Sequence, residues 1–208
     1  MRSVFLAILC ASALGAEFGR FPASPDGDIL TWLIAGPFAP GEFDAAELVG
    51  GGLPCEGDAA GAAAWAFVLA GDGGIVDLEA RWPRDHVAAF AACGIEAPEA
   101  QKAVLAFGSD DACKVWLNDA LVLETPRSRA LTRNRDSVAV DLRKGVNTLY
   151  VQITETVGGW GFQGSVKPAA GAVRIVLPLR EAPDPLRWSF QSVPFARRAG
   201  DKAEPIVW

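Results

Sequence analysis

The sequence predicts an all-β chain, an antiparallel β-sandwich with a long loop near its amino-terminal end and an extended carboxy-terminal tail. Three observations carry this. Short apolar runs of strand length recur between residues 28 and 177, separated by glycine, asparagine and aspartate turn signals. The cleanest of them alternates strictly, Leu149, Val151 and Ile153 against Tyr150, Gln152 and Thr154. The alanine-rich stretch 86–95, helical by propensity, is short and ends at Gly94 before Ala97-Pro98; with period two it lines Val87, Ala89, Ala91, Cys93 and Ile95 on one face.

Bulk properties fit that class. The chain has 208 residues, 50% hydrophobic and 21% charged, enough for one domain with its own core and unlike a disordered tail. A net charge of -6 with no basic run argues against nucleic acid and anionic membrane surfaces as partners.

The first 16 residues read as a secretory leader. Arg2 supplies the positive end, residues 4–9 begin a short apolar run, and cleavage is expected after Ala13, Gly15 or Ala16. That run is too short to cross a bilayer, and no later one is long enough. Leu9 stands where a lipoprotein would carry a small residue before Cys10, which argues against a lipid anchor. A secreted protein, periplasmic or extracellular, is expected. Removal of the leader leaves Cys55, Cys93 and Cys113. One disulfide with a free thiol and three buried thiols both fit these residues.

In chain order, residues 28–38 predict a first strand ending at Gly36-Pro37. Residues 39–64, rich in Gly, Ala and Pro, predict a surface loop that buries little, with one helical turn at 44–48. Short strands follow at 65–69 and 75–78, then the strand within 86–95. A central hairpin is predicted from strands at 103–107 and 113–117 joined by a turn at 108–111. Asn118-Asp119 makes a two-residue turn, since both tolerate φ > 0, and 120–124 returns. Further strands are expected at 138–142, 149–153, 163–166 and 173–177. Residues 178–208 hold Pro178, Pro183, Pro185, Pro194 and Pro205 with Trp188 and Trp208, which suggests an extended tail docking on the domain. The organisation is thus leader 1–16, sandwich 17–177, tail 178–208.

Three pieces carry a resemblance: Trp32-Leu33-Ile34-Ala35-Gly36-Pro37-Phe38, Gly108-Ser109-Asp110-Asp111 with Val115-Trp116-Leu117-Asn118, and Lys144-Gly145-Val146-Asn147-Thr148-Leu149 followed by Gly159-Trp160-Gly161-Phe162. Their order resembles the galactose-binding-like jelly-roll modules of secreted bacterial proteins, which accompany glycoside hydrolases and polysaccharide lyases. The Ser-Asp-Asp element also resembles protective-antigen-type lectin sandwiches, in which paired aspartates hold Ca²⁺. Ala112 and Asp119 depart from the glycines usual at those places. The resemblance covers residues 28–167 and implies a non-catalytic module that binds carbohydrate; the competing expectation is a structural or protein-interaction component of a cell-envelope assembly.

Asp110 and Asp111 are hard-oxygen donors of the kind Ca²⁺ takes, or else a turn in which Asp110 accepts backbone N–H groups. Trp160, between glycines, is the candidate stacking platform for a sugar ring, and Asn118 a candidate sugar contact. Trp116 is expected to pack against the second sheet. Arg127, Arg129, Arg133 and Arg135 form either a grip on an acidic sugar or a solvated face. No catalytic constellation stands out: His86 is the sole histidine, no G-x-S-x-G elbow accompanies a serine, and no phosphate-loop motif opens a helix. A small hydrolase or lyase would need two carboxylates that spacing does not single out.

Overall fold

The computed structural model describes residues 17–48, 50–125 and 129–179. The leader, Arg127 and the tail beyond residue 179 lie outside them. Two antiparallel sheets enclose one core. The larger runs β1 (Glu17–Pro22), β14 (Arg174–Leu179), β7 (Ala88–Ala97), β12 (Gly145–Thr154), β9 (Ala112–Leu117), β10 (Ala120–Glu124), with β2 (Thr31–Phe38) on β7 and β5 (Ala66–Leu69) on β2. The smaller runs β11 (Asp136–Leu142), β8 (Gln101–Asp110), β13 (Gly161–Pro168), β6 (Ile75–Asp77). A two-stranded ribbon, β3 (Ala59–Ala60) with β4 (Ala63–Ala64), lies apart.

Strand β7 explains why its sequence looked helical. Ala89, Ala91, Cys93 and Ile95 face the core, yet Phe90, Ala92 and Gly94 on the other face are also fully enclosed. A strand covered on both sides keeps no polar alternation. The cover is the segment 39–65, and here the expectation of a loop that buries little is corrected. Leu48, Leu53, Cys55, Ala60 and Trp65 are buried, Phe43 stacks on Phe38 at 4.8 Å and meets Phe90 edge-on at 5.3 Å, and the Tyr150 hydroxyl donates to the carbonyl of Gly52. The helical turn forms as expected: Asp44 caps Ala45–Glu47 by accepting from the Ala46 N–H at 2.9 Å. Phe43→Ala is expected to cost about 2 kcal/mol, because a half-buried ring loses part of the burial that a core Phe loses. At roughly 2–4 °C per kcal/mol this lowers Tm by roughly 4–8 °C, and an unchanged Tm would show that the cover contributes nothing.

Across the core, Trp32 of β2 meets Phe162 of β13 edge-to-face at 5.2 Å, joining the two sheets. The Trp32 indole N–H donates to the carbonyl of Ile29 at 3.0 Å. The predicted turn at Asn118-Asp119 is present, with φ of 48° and 71°. The predicted central hairpin is not. β8 belongs to the smaller sheet and β9 to the larger, and the chain changes sheets through the single residue Asp111. Residues 108–110, expected in a turn, continue β8 and pair with β13, Gly108 opposite Gln163 and Asp110 opposite Gly161. β1, absent from the sequence reading, pairs with β14, whose last two residues extend into the region read as tail. Trp116 is likewise corrected: Cys113, Val115 and Leu117 face the core, while half-buried Trp116 lies on the opposite face, paired with Leu121 and Tyr150. Cys55, Cys93 and Cys113 are all buried and no disulfide joins any two of them, the second of the two readings left open.

Candidate metal and ligand site at the sandwich rim

The sheet change at Asp111 creates the site. β8 delivers Asp110 at the rim of one sheet, β9 departs in the other, and β12 ends beside them so that Glu155 follows directly. The Asp111 N–H donates to the carbonyl of Thr154 at 3.2 Å, and the Glu155 N–H to that of Val87 at 2.8 Å. The Asp110–Asp111 peptide is cis. Asp110, Asp111 and Glu155 each place a carboxylate oxygen within 4.8 Å of the others.

Their environments differ. Asp111, 6% exposed, is clamped: the Arg129 N–H donates to Oδ1 and the Thr156 N–H to Oδ2, each at 3.0 Å. The buried Ser109 hydroxyl donates to the Asp111 carbonyl at 2.9 Å. Arg129 is fixed in turn, its Nε donating to the Ser109 carbonyl at 3.3 Å and its terminal nitrogen pairing with Asp136. Glu155, 1% exposed, has both carboxylate oxygens without a hydrogen-bond partner. Burial, then the charges of Asp111, Asp110, Asp85 and Glu79, push its carboxyl from 4.5 up to about 7. Burial and the neighbouring Asp111 likewise raise Asp110, against an opposing backbone hydrogen bond from Leu131.

Above the carboxylates opens a cleft of about 350 Å³. It is lined by Asp110 and Asp111, by Arg129 and Ala130, and by Thr156, Val157 and Gly159. Two hydrogen bonds tie down the segment around Val157. The His86 N–H donates to the Thr156 carbonyl at 3.1 Å, and the Gly158 N–H to Asp85 at 3.2 Å.

A buried carboxylate with no donor is costly unless a proton or a cation completes it. Three hard oxygens, with no imidazole or thiolate in the group, suit Ca²⁺ or Mg²⁺ rather than a softer metal. As a hydrolytic pair the group is poorly placed. Glu155 does not line the cleft, and both oxygens of Asp111 accept backbone N–H groups.

The other sequence candidates separate. Asn118 stands at the far end of β9, roughly 20 Å from Asp111 at the usual strand rise. Its amide donates to Asn147 at 2.8 Å and accepts from the Thr148 N–H at 3.2 Å, a tie between turn and strand. Trp160 is 3% exposed, its indole N–H donates to the Trp82 carbonyl at 3.1 Å, and the two rings lie 6.2 Å apart. The expected stacking face is therefore packed inside. Arg133 pairs with buried Asp28 at 2.7 Å, so with Arg129 two of the four arginines are structural, while Arg135 is exposed. Glu155 went unnamed in the sequence; its one signal was an acidic residue between a cleanly alternating strand and a glycine loop.

No family model matches the chain, and no curated protein matches it. Among solved structures it is similar to a PA14 sugar-binding domain from an RTX adhesin, with 16% identity and a TM-score of 0.36 over 43% of this chain and 50% of that one. It is similar to the beta-glucosidase from Kluyveromyces marxianus in complex with glucose, with 15% identity and a TM-score of 0.46 over 73% of this chain but 18% of that one. A family 35 carbohydrate binding module from Clostridium thermocellum gives 10% identity and a TM-score of 0.29 over 77% and 98%. Likenesses this low assign no family and no ligand, so function has to be argued from the rim.

Proposed function

We propose that this chain is a secreted, non-catalytic carbohydrate-binding module whose rim takes Ca²⁺ between Asp110, Asp111 and Glu155. The observation that carries the reading is Glu155, a buried carboxylate with both oxygens unpaired and one of them within 4.8 Å of a carboxylate oxygen of each aspartate. A divalent cation would offset three converging negative charges and supply the partner that Glu155 lacks. Ca²⁺ takes six to eight oxygens, more than three carboxylates supply, and the rest would come from the cleft side as water or hydroxyls. A sugar, dense in hydroxyls, is the natural second ligand. The resemblance to lectin sandwiches through Ser109-Asp110-Asp111 supports the same assignment, and the leader pattern supports an extracytoplasmic setting.

Extracellular Ca²⁺ modules bind with Kd on the order of 10⁻⁴–10⁻³ M. Titration calorimetry is expected to find one site in that range, and a glycan array probed with and without Ca²⁺ to give hits only with it. Absence of Ca²⁺ binding would remove the metal. Ca²⁺ binding without any glycan hit would favour the competing reading, an envelope sandwich whose rim the cation merely stiffens.

A further inference from the structure

Away from the rim, the outer face of the larger sheet carries a second surface. Tyr150, Trp116 and Leu121 stand opposite one another on β12, β9 and β10, an apolar row that crosses three strands. The segment 39–65 covers its Tyr150 end, whereas Trp116 is half-buried and Leu121 49% exposed. Beside it on the same face runs a polar row, Gln152, Lys114 and Glu124. Lys114 and Glu124 pair at 3.2 Å and stay about half-exposed, so this row offers hydrogen-bonding groups without net charge. The Gln152 amide and the Trp116 indole N–H meet no partner among the described residues, unlike the indoles of Trp32 and Trp160. An indole left half open with its N–H unmet contributes less to the fold than a buried one and suits an amphipathic ligand. A stable protein partner needs about 800 Å² on each side with an apolar centre. Here two open apolar side chains lie directly between the Lys114–Glu124 pair and the Asn118-Asp119 turn, too narrow a strip for that. A sugar chain is narrow enough: its ring faces are C–H and its edges hydroxyl.

We infer that this face is a second carbohydrate site, independent of the cation, that takes a β-1,4-linked chain of the glucan or xylan kind. It rests on the carbohydrate part of the proposed function and not on the metal. Trp116 lies roughly 17 Å from Asp111 along β9 at the usual strand rise, beyond the reach of a cation at the rim. With its ring substituents equatorial, such a chain lays a C–H face on Trp116 and Leu121 and turns its edge hydroxyls to Gln152, Lys114 and Glu124. An axial hydroxyl, or the coiled path of an α-linked chain, would lift the ring off the indole. One indole holds a chain weakly, so this binding shows in solution at high ligand concentration and not on a washed array.

The test titrates the full chain, in excess EDTA, with cellohexaose, xylohexaose and maltohexaose. Cellohexaose or xylohexaose is expected to bind, and maltohexaose to bind about fivefold more weakly, the worth of one aromatic contact. Trp116→Ala is expected to weaken the β-linked chain by about tenfold or more, as truncation of a central aromatic anchor does. Leu121→Ser, at an exposed position that the fold tolerates, is expected to weaken it by about threefold, through part of the burial of one Leu side chain. Both variants should keep the Ca²⁺-induced rise in Tm, which reports on the rim alone. Sugar binding that EDTA abolishes entirely, either variant with full EDTA-resistant affinity, or maltohexaose bound as well as cellohexaose overturns the inference and leaves the rim reading standing. If no saccharide binds with Ca²⁺ or without it, the carbohydrate reading itself falls and takes this inference with it.

Discussion

Glu155→Gln is expected to raise the Tm of the metal-free protein and to abolish its response to Ca²⁺, an opposition of signs that a purely structural residue would not show. In the metal-free protein Glu155 is buried without a donor among like charges, and its carboxyl is pushed from 4.5 up to about 7. Glutamine keeps the shape, removes the charge, and offers an amide N–H to the oxygens of Asp110 or Asp111. With Ca²⁺ the balance inverts, because the variant has lost an anionic ligand. The pH dependence follows from the same shift. Between pH 4.5 and about 7 the folded protein holds a proton that the unfolded chain has released, so stability falls as pH rises through that window and levels above it. The raised carboxyl of Asp110 acts in the same direction. Scanning calorimetry of metal-free wild type should therefore show Tm declining from pH 5 to pH 7, with Glu155→Gln flatter. Saturating Ca²⁺, ~2.7 kcal/mol at a hundredfold excess over Kd, should raise wild-type Tm by roughly 5–10 °C near pH 7.5 and much less near pH 5. A variant that melts lower than wild type, or that keeps the Ca²⁺ shift, would remove Glu155 from the site.

What the sequence revealed was whatever local chemistry decides. The alternation of Leu149, Val151 and Ile153 reads out as β12 because one face of that strand is deeply buried and the other less so. Asn118 and Asp119 announce a turn because few residues accept positive φ. What stayed hidden depends on which surfaces meet. β1, Glu17–Pro22, pairs with β14 along its whole length, a backbone contact that side-chain pattern does not announce. The residues Gly108–Asp111 have the composition of a turn, yet they are the end of a strand and a crossing between sheets; composition reports that the chain bends, not which sheet it bends into. The paired aspartates were visible as neighbours in sequence. Glu155 was not, since it reaches them only through the β12–β9 pairing, Thr154 opposite Ala112. Trp160 lies between glycines as an exposed ring would, but the docking of Trp82 decides that it is buried.

The same dependence on surfaces makes Gly108 the residue whose replacement should do most damage at a distance from the carboxylates. On β8 it lies beneath the loop 129–135, and a Cβ built there falls 2.2 Å from the Thr132 carbonyl oxygen and 2.9 Å from its carbon. Backbone cannot rotate aside as a side-chain tip can, so Gly108→Ala has to lift the loop. That loop carries the Arg129 N–H that holds Asp111, the backbone hydrogen bond from Leu131 to Asp110, and the Asn134 N–H donated to Gln163 at 2.9 Å. It also carries the Arg133 guanidinium against Asp28. Overpacking alone costs typically about 1–3 kcal/mol, and loosening these bonds adds to it, for an expected loss of about 3 kcal/mol and a Tm lower by roughly 6–12 °C. Ca²⁺ affinity should fall by about tenfold or more, because Asp110 and Asp111 lose the donors that orient them. Gly159→Ala is the matched control: it lies on the cleft wall itself, its Cβ would meet nothing within 4 Å, and its stability should stay within about 0.5 kcal/mol of wild type. Calorimetric Tm and Ca²⁺ titration on both variants decide the matter. A Gly108→Ala protein with wild-type Tm and wild-type Ca²⁺ affinity would mean that the loop does not seat the carboxylates, and that their geometry is set by β8 and β12 alone.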